Sequence, residues 1–280
     1  MNIINKLALA GLAFSTMGMA QASKGKILVV VSSEDQLPLK SGATYPTGFY
    51  LNEFGVPAKK LVEEGYELVV ANPKGNPATM DARSAKVSYF NGNQAEFESV
   101  QKFVADLPQL KKPLSLAQVL RGGLKDYKAI FLPGGHAPMT DLMRSMELGL
   151  ILKKFHKAGK PTALICHAPV ALASAVRNPI LYQRLLEQND TARAAKEVGN
   201  WPYAGYQMTV FSTAEEKLAE KSIGGEPLYY PETVLSTAGG KVSVGAEWKA
   251  NAVRDRELIT GQNPFSDGDF VKLLLEALAE

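Results

Sequence analysis

The sequence predicts a doubly wound α/β fold with a mostly parallel sheet and helices on both faces. Two patterns carry that expectation. The run KILVVVS at 26–32 is uninterrupted apolar, β-branched sequence, as in a strand buried on both faces of a parallel sheet. Beyond it, short apolar runs alternate with segments whose apolar residues recur at helical spacing, and helical crossovers between strands imply parallel pairing.

From about 49 to 64, Leu51, Phe54, Ala58, Leu61 and Val62 share one helical face, and Gly65 stands where a left-handed C-terminal cap is wanted. Residues 66–71 read as the second strand, stopped by Asn72-Pro73. A second amphipathic helix over 94–107 gathers Phe97, Val100, Phe103, Val104 and Leu107, followed by a buried strand at 129–132. Residues 146–158 form a third helix closed by Gly159, and the strand at 161–165 ends at Cys166. Residues 168–176 are helix-competent, whereas 177–205 read as an inserted helical excursion. A strand at 208–212, a helix from 214, another after Pro231, a strand pair around 242–244 and 257–260, and a last helix over 267–279 complete the alternation. No repeat and no Pro/Ser-rich linker interrupts it, so residues 23–280 are expected to form one domain.

Residues 1–22 are expected to be a removed signal peptide. They hold one lysine, an apolar stretch at 7–20, and the small-x-small triplet Ala20-Gln21-Ala22. Cleavage after Ala22 makes the protein exported, either periplasmic or secreted. No later run reaches about 18 uninterrupted apolar residues, so no membrane partner is expected of the mature chain. The net charge of +3 is spread among interleaved acids and bases with no basic, aromatic-laced stripe, which argues against nucleic acid as a partner. The single cysteine excludes an internal disulfide. In an exported chain such a leftover thiol is either buried and inert or reactive for a purpose.

Doubly wound sheets bind ligands at the carboxyl ends of their strands. Three unusual segments fall there: LPGGHAP at 132–138, CHAP at 166–169, and Glu53 early in the first crossover. Cys166, between a strand and a helix, occupies the position of a nucleophile elbow, and the following helix is expected to lower its thiol pKa. Pro169 is tolerated there because the first N–H groups of a helix lack intrahelical partners. Cysteine is also among the most buried residue types, so spacing alone leaves Cys166 between inert core and nucleophile. His136 and His167 are open in the same way between pocket and loop. Asn263, just after a strand, borders the pocket or sits in a plain turn. His156, among Lys153, Lys154 and Lys157, reads as a solvated helix face, while Trp201 and Tyr203 cover the site or make a subunit contact.

In order, LPGGHAPMTDL, ICHAPVAL, TVFSTAEE and RDRELITGQNP closely resemble the ThiJ/PfpI superfamily of class I glutamine-amidotransferase-like proteins. The nearest branch is that of heat-shock proteins with glyoxalase III activity, and TGFYLNEFGVPAKKLVEEGYELVVANPKG resembles the same branch. The resemblance runs from about Lys26 to the C-terminus, with 177–205 unmatched. It implies a flavodoxin-like sheet and a set of site residues. Cys166 matches the elbow nucleophile and His167 the histidine beside it. Glu216, with Glu215 as rival, matches the acid that orients this histidine, and Glu53 matches the protonated acid beside the thiol. Backbone N–H groups near Gly135 and His167 match the oxyanion hole, so Gly134, Gly135 and His136 belong to the pocket. Ala137 and Ala168 stand where many members of the branch have glycine.

The resemblance also implies an activity: glutathione-independent conversion of 2-oxoaldehydes such as methylglyoxal to 2-hydroxy acids, a lyase reaction of the D-lactate dehydratase type, using no metal or organic cofactor. The implied partners are a small reactive aldehyde and a second copy of the chain. Some chaperone members carry a separate metal site of histidines and a carboxylate. With only His136, His156 and His167 present, none is expected here. Two alternatives use the same residues: amide or peptide hydrolysis, and a stress chaperone or oxidation sensor in which Glu53 holds a sulfinic acid formed at Cys166.

Overall fold

The structure, a computed structural model, describes residues 23–280, so the expected leader lies outside the described residues. A seven-stranded sheet runs in the order Ala252–Asp255, Leu258–Gly261, Thr162–Ile165, Tyr127–Leu132, Lys26–Val30, Glu67–Asn72, Leu114–Ser115. Only the pair Ala252–Asp255 and Leu258–Gly261 is antiparallel; every other neighbouring pair in this sheet is parallel.

Period-2 alternation along the first strand feeds two cores. Leu28 and Val30 enter one, Ile27 and Val29 the other. Ile27 and Val29 meet the helices Leu51–Glu63, Gln94–Ala105 and Asp267–Ala279 through Phe54, Val100 and Phe270. Leu28 and Val30 meet Leu116–Gly122, Met146–Lys157, Pro179–Glu187 and Pro231–Thr237 on the opposite face. Each aliphatic side chain so buried contributes about 1.5–3 kcal/mol relative to exposure. The fold is therefore flavodoxin-like and doubly wound, as the alternation predicts. Gly65 and Gly159, with φ of 91° and 62°, follow the helices they were expected to close.

Several local expectations are corrected. Residues 168–175 form a run of 3-10 helix rather than an α-helix. This segment packs so closely on the Met146–Lys157 helix that a Cβ on Gly149 would stand 2.1 Å from the Ser174 carbonyl oxygen. Gln207–Met208 and Lys241–Val242 pair with each other in a separate small sheet. The Leu258–Gly261 strand instead takes Ala252–Asp255 through a two-residue turn, where Arg256 adopts a φ of 58° without the Gly or Asn that advertises such turns. A hairpin of Gln36–Pro38 with Thr44–Pro46 lies within what reads as loop.

Residues 177–205 do contain helices, Pro179–Glu187 and Thr191–Lys196. Trp201 and Tyr203, however, are core residues that neither cover the site nor face a partner. Trp201 Nε1 donates to the Leu172 carbonyl at 2.8 Å, and Tyr203 is wholly buried. His156 is half-buried, with Nδ1 2.7 Å from Glu257 Oε1, so it is not simply solvated. No described helix is long and apolar enough to cross a membrane.

Candidate active site

Adjacent strands Tyr127–Leu132 and Thr162–Ile165 deliver their carboxyl ends side by side. The first continues into Gly134, Gly135 and His136, the second into Cys166 and His167. Cys166 has a φ of 63°, a left-handed conformation that a side chain adopts at a cost of roughly 1–2 kcal/mol. Two backbone hydrogen bonds hold it there: its N–H donates to the Gly261 carbonyl at 2.8 Å, and its carbonyl accepts from the Phe211 N–H at 2.9 Å. Strain fixed in this way is characteristic of reactive positions. The strand–elbow–helix expectation therefore holds in the backbone, although the helix is of the 3-10 kind.

Both glycines are required by crowding. A Cβ on Gly134 would lie 2.5 Å from Cys166 Cβ, 2.5 Å from Glu53 Oε2 and 2.6 Å from the Ile165 carbonyl oxygen. Gly135 has a φ of 93°, and a Cβ there would meet the Gly48 carbonyl at 2.1 Å. Ala137, where many of the resembled proteins have glycine, has φ −53° and ψ −38°, a conformation that alanine adopts without strain.

His167 Nδ1 lies 3.1 Å from Cys166 Sγ, and its Nε2 lies 2.7 Å from Glu216 Oε2. His136 Nε2 is 3.0 Å from the other oxygen, Glu216 Oε1. A carboxylate only accepts, so both rings carry hydrogen at Nε2, and Nδ1 of His167 is left as a base facing the sulfur. The His136 and His167 ring centroids are 4.0 Å apart, and Phe211 stacks on His167 at 4.3 Å. Glu216 is aimed by the start of its helix, where Ser212 and Glu215 form a capping box. Glu215 is spent on structure. Its carboxylate accepts from Ser212, Asn263 Nδ2 at 2.8 Å, Gln262 Nε2 at 3.0 Å and the Trp248 N–H at 2.8 Å. Geometry thus separates the two rivals and puts Glu216 at the histidines.

Glu53 is fully buried in the first turn of its helix, facing the Cys166 thiol and the Gly135 N–H. Neither of its oxygens completes a hydrogen bond among the described residues. Burial raises its carboxyl to about 8, so it is a neutral acid at pH 7. Burial, with Glu53 beside it, also pushes the Cys166 thiol up, against a lowering contribution from the Gly135 N–H. The expectation of a lowered thiol pKa is corrected: burial outweighs the weak dipole of a 3-10 segment. Burial lowers His167 to about 4, with His136 adding to the effect. Burial alone would raise Glu216, but the two imidazoles outweigh it and hold this carboxyl well below the usual range. The resting site is thus thiol, neutral imidazole and carboxylate.

Above these groups opens a cavity of about 180 Å³, with Cys166, His136 and His167 in its wall. Asn263 does not line it. Its amide is turned away to Glu215 and the Lys249 carbonyl, and Pro264 takes the position at the cavity. One ring nitrogen each of His136 and His167 and a Glu216 oxygen lie within 4.8 Å of one another, a donor set that can hold a divalent cation.

Residues 45–178 match the DJ-1/PfpI family. Over that stretch the chain is similar to the family. Over 263 residues it is 28% identical to the protein/nucleic acid deglycase HchA of Pseudomonas aeruginosa, covering 91% of this chain and 81% of the relative. It is 26% identical over 266 residues to the deglycase HchA of Staphylococcus aureus, covering 93% and 82%. Glyoxalase III of Candida albicans superposes with a TM-score of 0.64 at 19% identity, covering 91% of this chain and 98% of the other, a likeness of fold. The resemblance drawn from the four motifs is borne out.

Sequence reasoning missed most of the walls of this pocket. Tyr45, Tyr50, Arg83, Lys86, Tyr89 and Trp248 all line it. Tyr50 precedes the first helix, and the others come from the small hairpin, from the two 3-10 turns within 82–90 with the residues between them, and from an irregular loop, where no hydrophobic period exists to be read. Trp248 carries the clearest structural mark, a φ of 58°, with its ring 5.7 Å from Phe211.

Proposed function

We propose that this protein converts 2-oxoaldehydes to 2-hydroxy acids without glutathione, through Cys166, His167, Glu216 and Glu53. The observation that carries the reading is the unbroken line from Sγ to Nδ1 at 3.1 Å and from Nε2 to Glu216 at 2.7 Å. The glyoxalase III and deglycase names of the neighbours support it.

A buried thiol needs a base at the moment of attack, and neutral His167 is in place to take its proton. Sulfur adds to the aldehyde carbon, and the oxygen receives the proton to give a hemithioacetal. The developing negative charge is met by the Gly135 N–H and the elbow backbone. His167, neutral again, removes the C1 proton and returns it to C2, giving the thioester of the 2-hydroxy acid. Electrons move only from C1 to C2, so no external oxidant is consumed. Glu216 anchors the imidazole throughout, and Glu53, protonated, stays uncharged next to the sulfur. Water then releases the acid and restores the thiol.

The buried thiol favours a small aldehyde over one carried on a macromolecule, because Cys166 is only 2% exposed. Purified protein given methylglyoxal without glutathione is expected to yield D-lactate, and Cys166→Ala none. Absence of 2-oxoaldehyde turnover, or its survival in Cys166→Ala, overturns the reading; release of ammonia or amine from amide substrates instead favours a hydrolase. We further propose cleavage after Ala22 and export, read from an N-terminus at Ser23 on protein recovered outside the cytoplasm.

A further inference from the structure

The cavity above Cys166 is lined by aromatic rings and by two exposed cations. Arg83 and Lys86 are its charged lining residues apart from the histidines, and no carboxylate lines it. Both are exposed, and neither forms an ion pair with a carboxylate among the described residues. The acid nearest in sequence, Asp81, is buried and turned inward to Tyr45 and Thr47 at 3.0 and 3.1 Å. Arg83 does not sweep through solvent. Its guanidinium lies 4.6 Å from the Tyr45 ring centroid, and Nη1 donates to the Ser222 carbonyl at the end of the Glu216 helix. Most of its remaining N–H donors are left for something else.

Methylglyoxal carries no charged group for either cation to meet, and it leaves much of about 180 Å³ empty. We propose that Arg83 and Lys86 form an anion subsite, so that the preferred substrate is a 2-oxoaldehyde carrying a carboxylate or phosphate at its far end. Sulfur and the histidines hold the aldehyde end, Tyr45 and Trp248 flank the rest of the chain, and the two cations meet the charge. This rests on the reading of Cys166 as an aldehyde nucleophile, and the experiment keeps the two separable.

Three aldehydes are compared: methylglyoxal, 4,5-dioxopentanoate with a carboxylate, and 2-oxo-3-phosphooxypropanal with a phosphate. One anionic aldehyde is expected to exceed methylglyoxal in kcat/KM by about tenfold, the worth of one charged hydrogen bond. Which one it is tells carboxylate from phosphate. Arg83→Gln with Lys86→Gln brings the ratio close to one. Because Cys166 is the sole cysteine, alkylation reads the same field without turnover. The rate ratio of iodoacetate to iodoacetamide is expected to fall severalfold in the double variant, and in the unaltered protein as salt rises. If that ratio and the aldehyde preference are both indifferent to the variant, the subsite does not exist even where methylglyoxal is consumed. If the alkylation ratio falls while no aldehyde reacts, the anion subsite stands and the aldehyde chemistry fails.

Discussion

The Nε2 of His167 lies 2.7 Å from Oε2 of Glu216, and the neighbouring Glu215 points away into a structural network of its own. Two consecutive glutamates are thereby assigned different work. Glu216→Gln removes the negative charge and replaces one of the two acceptor oxygens that fix the histidine tautomers with a donor, and kcat/KM toward a 2-oxoaldehyde is expected to fall about a hundredfold or more. Glu215→Gln loosens the helix cap and the Asn263 and Gln262 contacts, lowering stability by about 1–3 kcal/mol in urea unfolding. An equal loss of turnover in both variants contradicts the division.

Strain at Cys166 is measurable without activity. At a φ of 63° glycine is at ease and alanine is not, so Cys166→Gly should unfold at higher denaturant than Cys166→Ala. The expected gap is about 1–2 kcal/mol. A gap of zero, or one favouring alanine, removes the strain argument.

Gly134→Ala forces a methyl carbon against Cys166 and Glu53 at 2.5 Å. Overpacking of this kind costs about 1–3 kcal/mol, and turnover should vanish with it. Gly122→Ala, at an open position at the end of a helix, serves as control and is expected to be neutral or mildly stabilising. Melting temperatures and turnover of the two variants decide the matter.

Two buried groups tilt the pH dependence in opposite directions. The Glu53 carboxyl rises from 4.5 to about 8 on folding, so its stabilisation is full below 4.5 and is lost as pH climbs through about 8. His167 drops from 6.5 to about 4, so its stabilisation is full above 6.5 and is lost as pH falls toward 4. Between about pH 5.5 and 8.5, Glu53→Gln should flatten the fall of unfolding free energy with rising pH. In turnover, ionisation of Glu53 beside the sulfur gives an alkaline limb near 8, absent from Glu53→Gln. An unchanged limb in that variant assigns it to another group.

Zinc should compete with the histidine hydrogen bonds. His136, His167 and Glu216 offer three donors within 4.8 Å, and a cation bound to them withdraws His167 from the thiol. Added Zn²⁺ is expected to inhibit and a chelator to restore turnover. His136→Ala should weaken the inhibition by about tenfold or more. Inhibition that is as strong in His136→Ala places the cation elsewhere.

The sheet was legible because burial writes itself into sequence. The uninterrupted run at 26–32 and the helical faces around Phe54 and Val100 appear where expected, since both faces of a parallel sheet must be covered. Cys166, His167, His136 and Glu53 could be found because each lies on, or one turn beyond, such an element. Asn263 was misplaced by the same reasoning: a position after a strand fixes a residue's neighbourhood, not the direction of its amide. The lowered thiol pKa failed because a helix dipole is visible in sequence and desolvation is not. Arg83 sits in a 3-10 turn and Lys86 just before the next, with no period to read, and only the folded path of the chain brings them to the cavity that Cys166 lines.

Holding Cys166 as a buried thiol has a consequence for endurance. Peroxides attack thiolate far faster than thiol, so a sulfur kept protonated by burial, with His167 as its neighbouring base, is shielded while the site is at rest. A site of this kind spends reactivity on demand. Its single irreplaceable sulfur can outlast many encounters with oxidants that would exhaust a permanently ionised one.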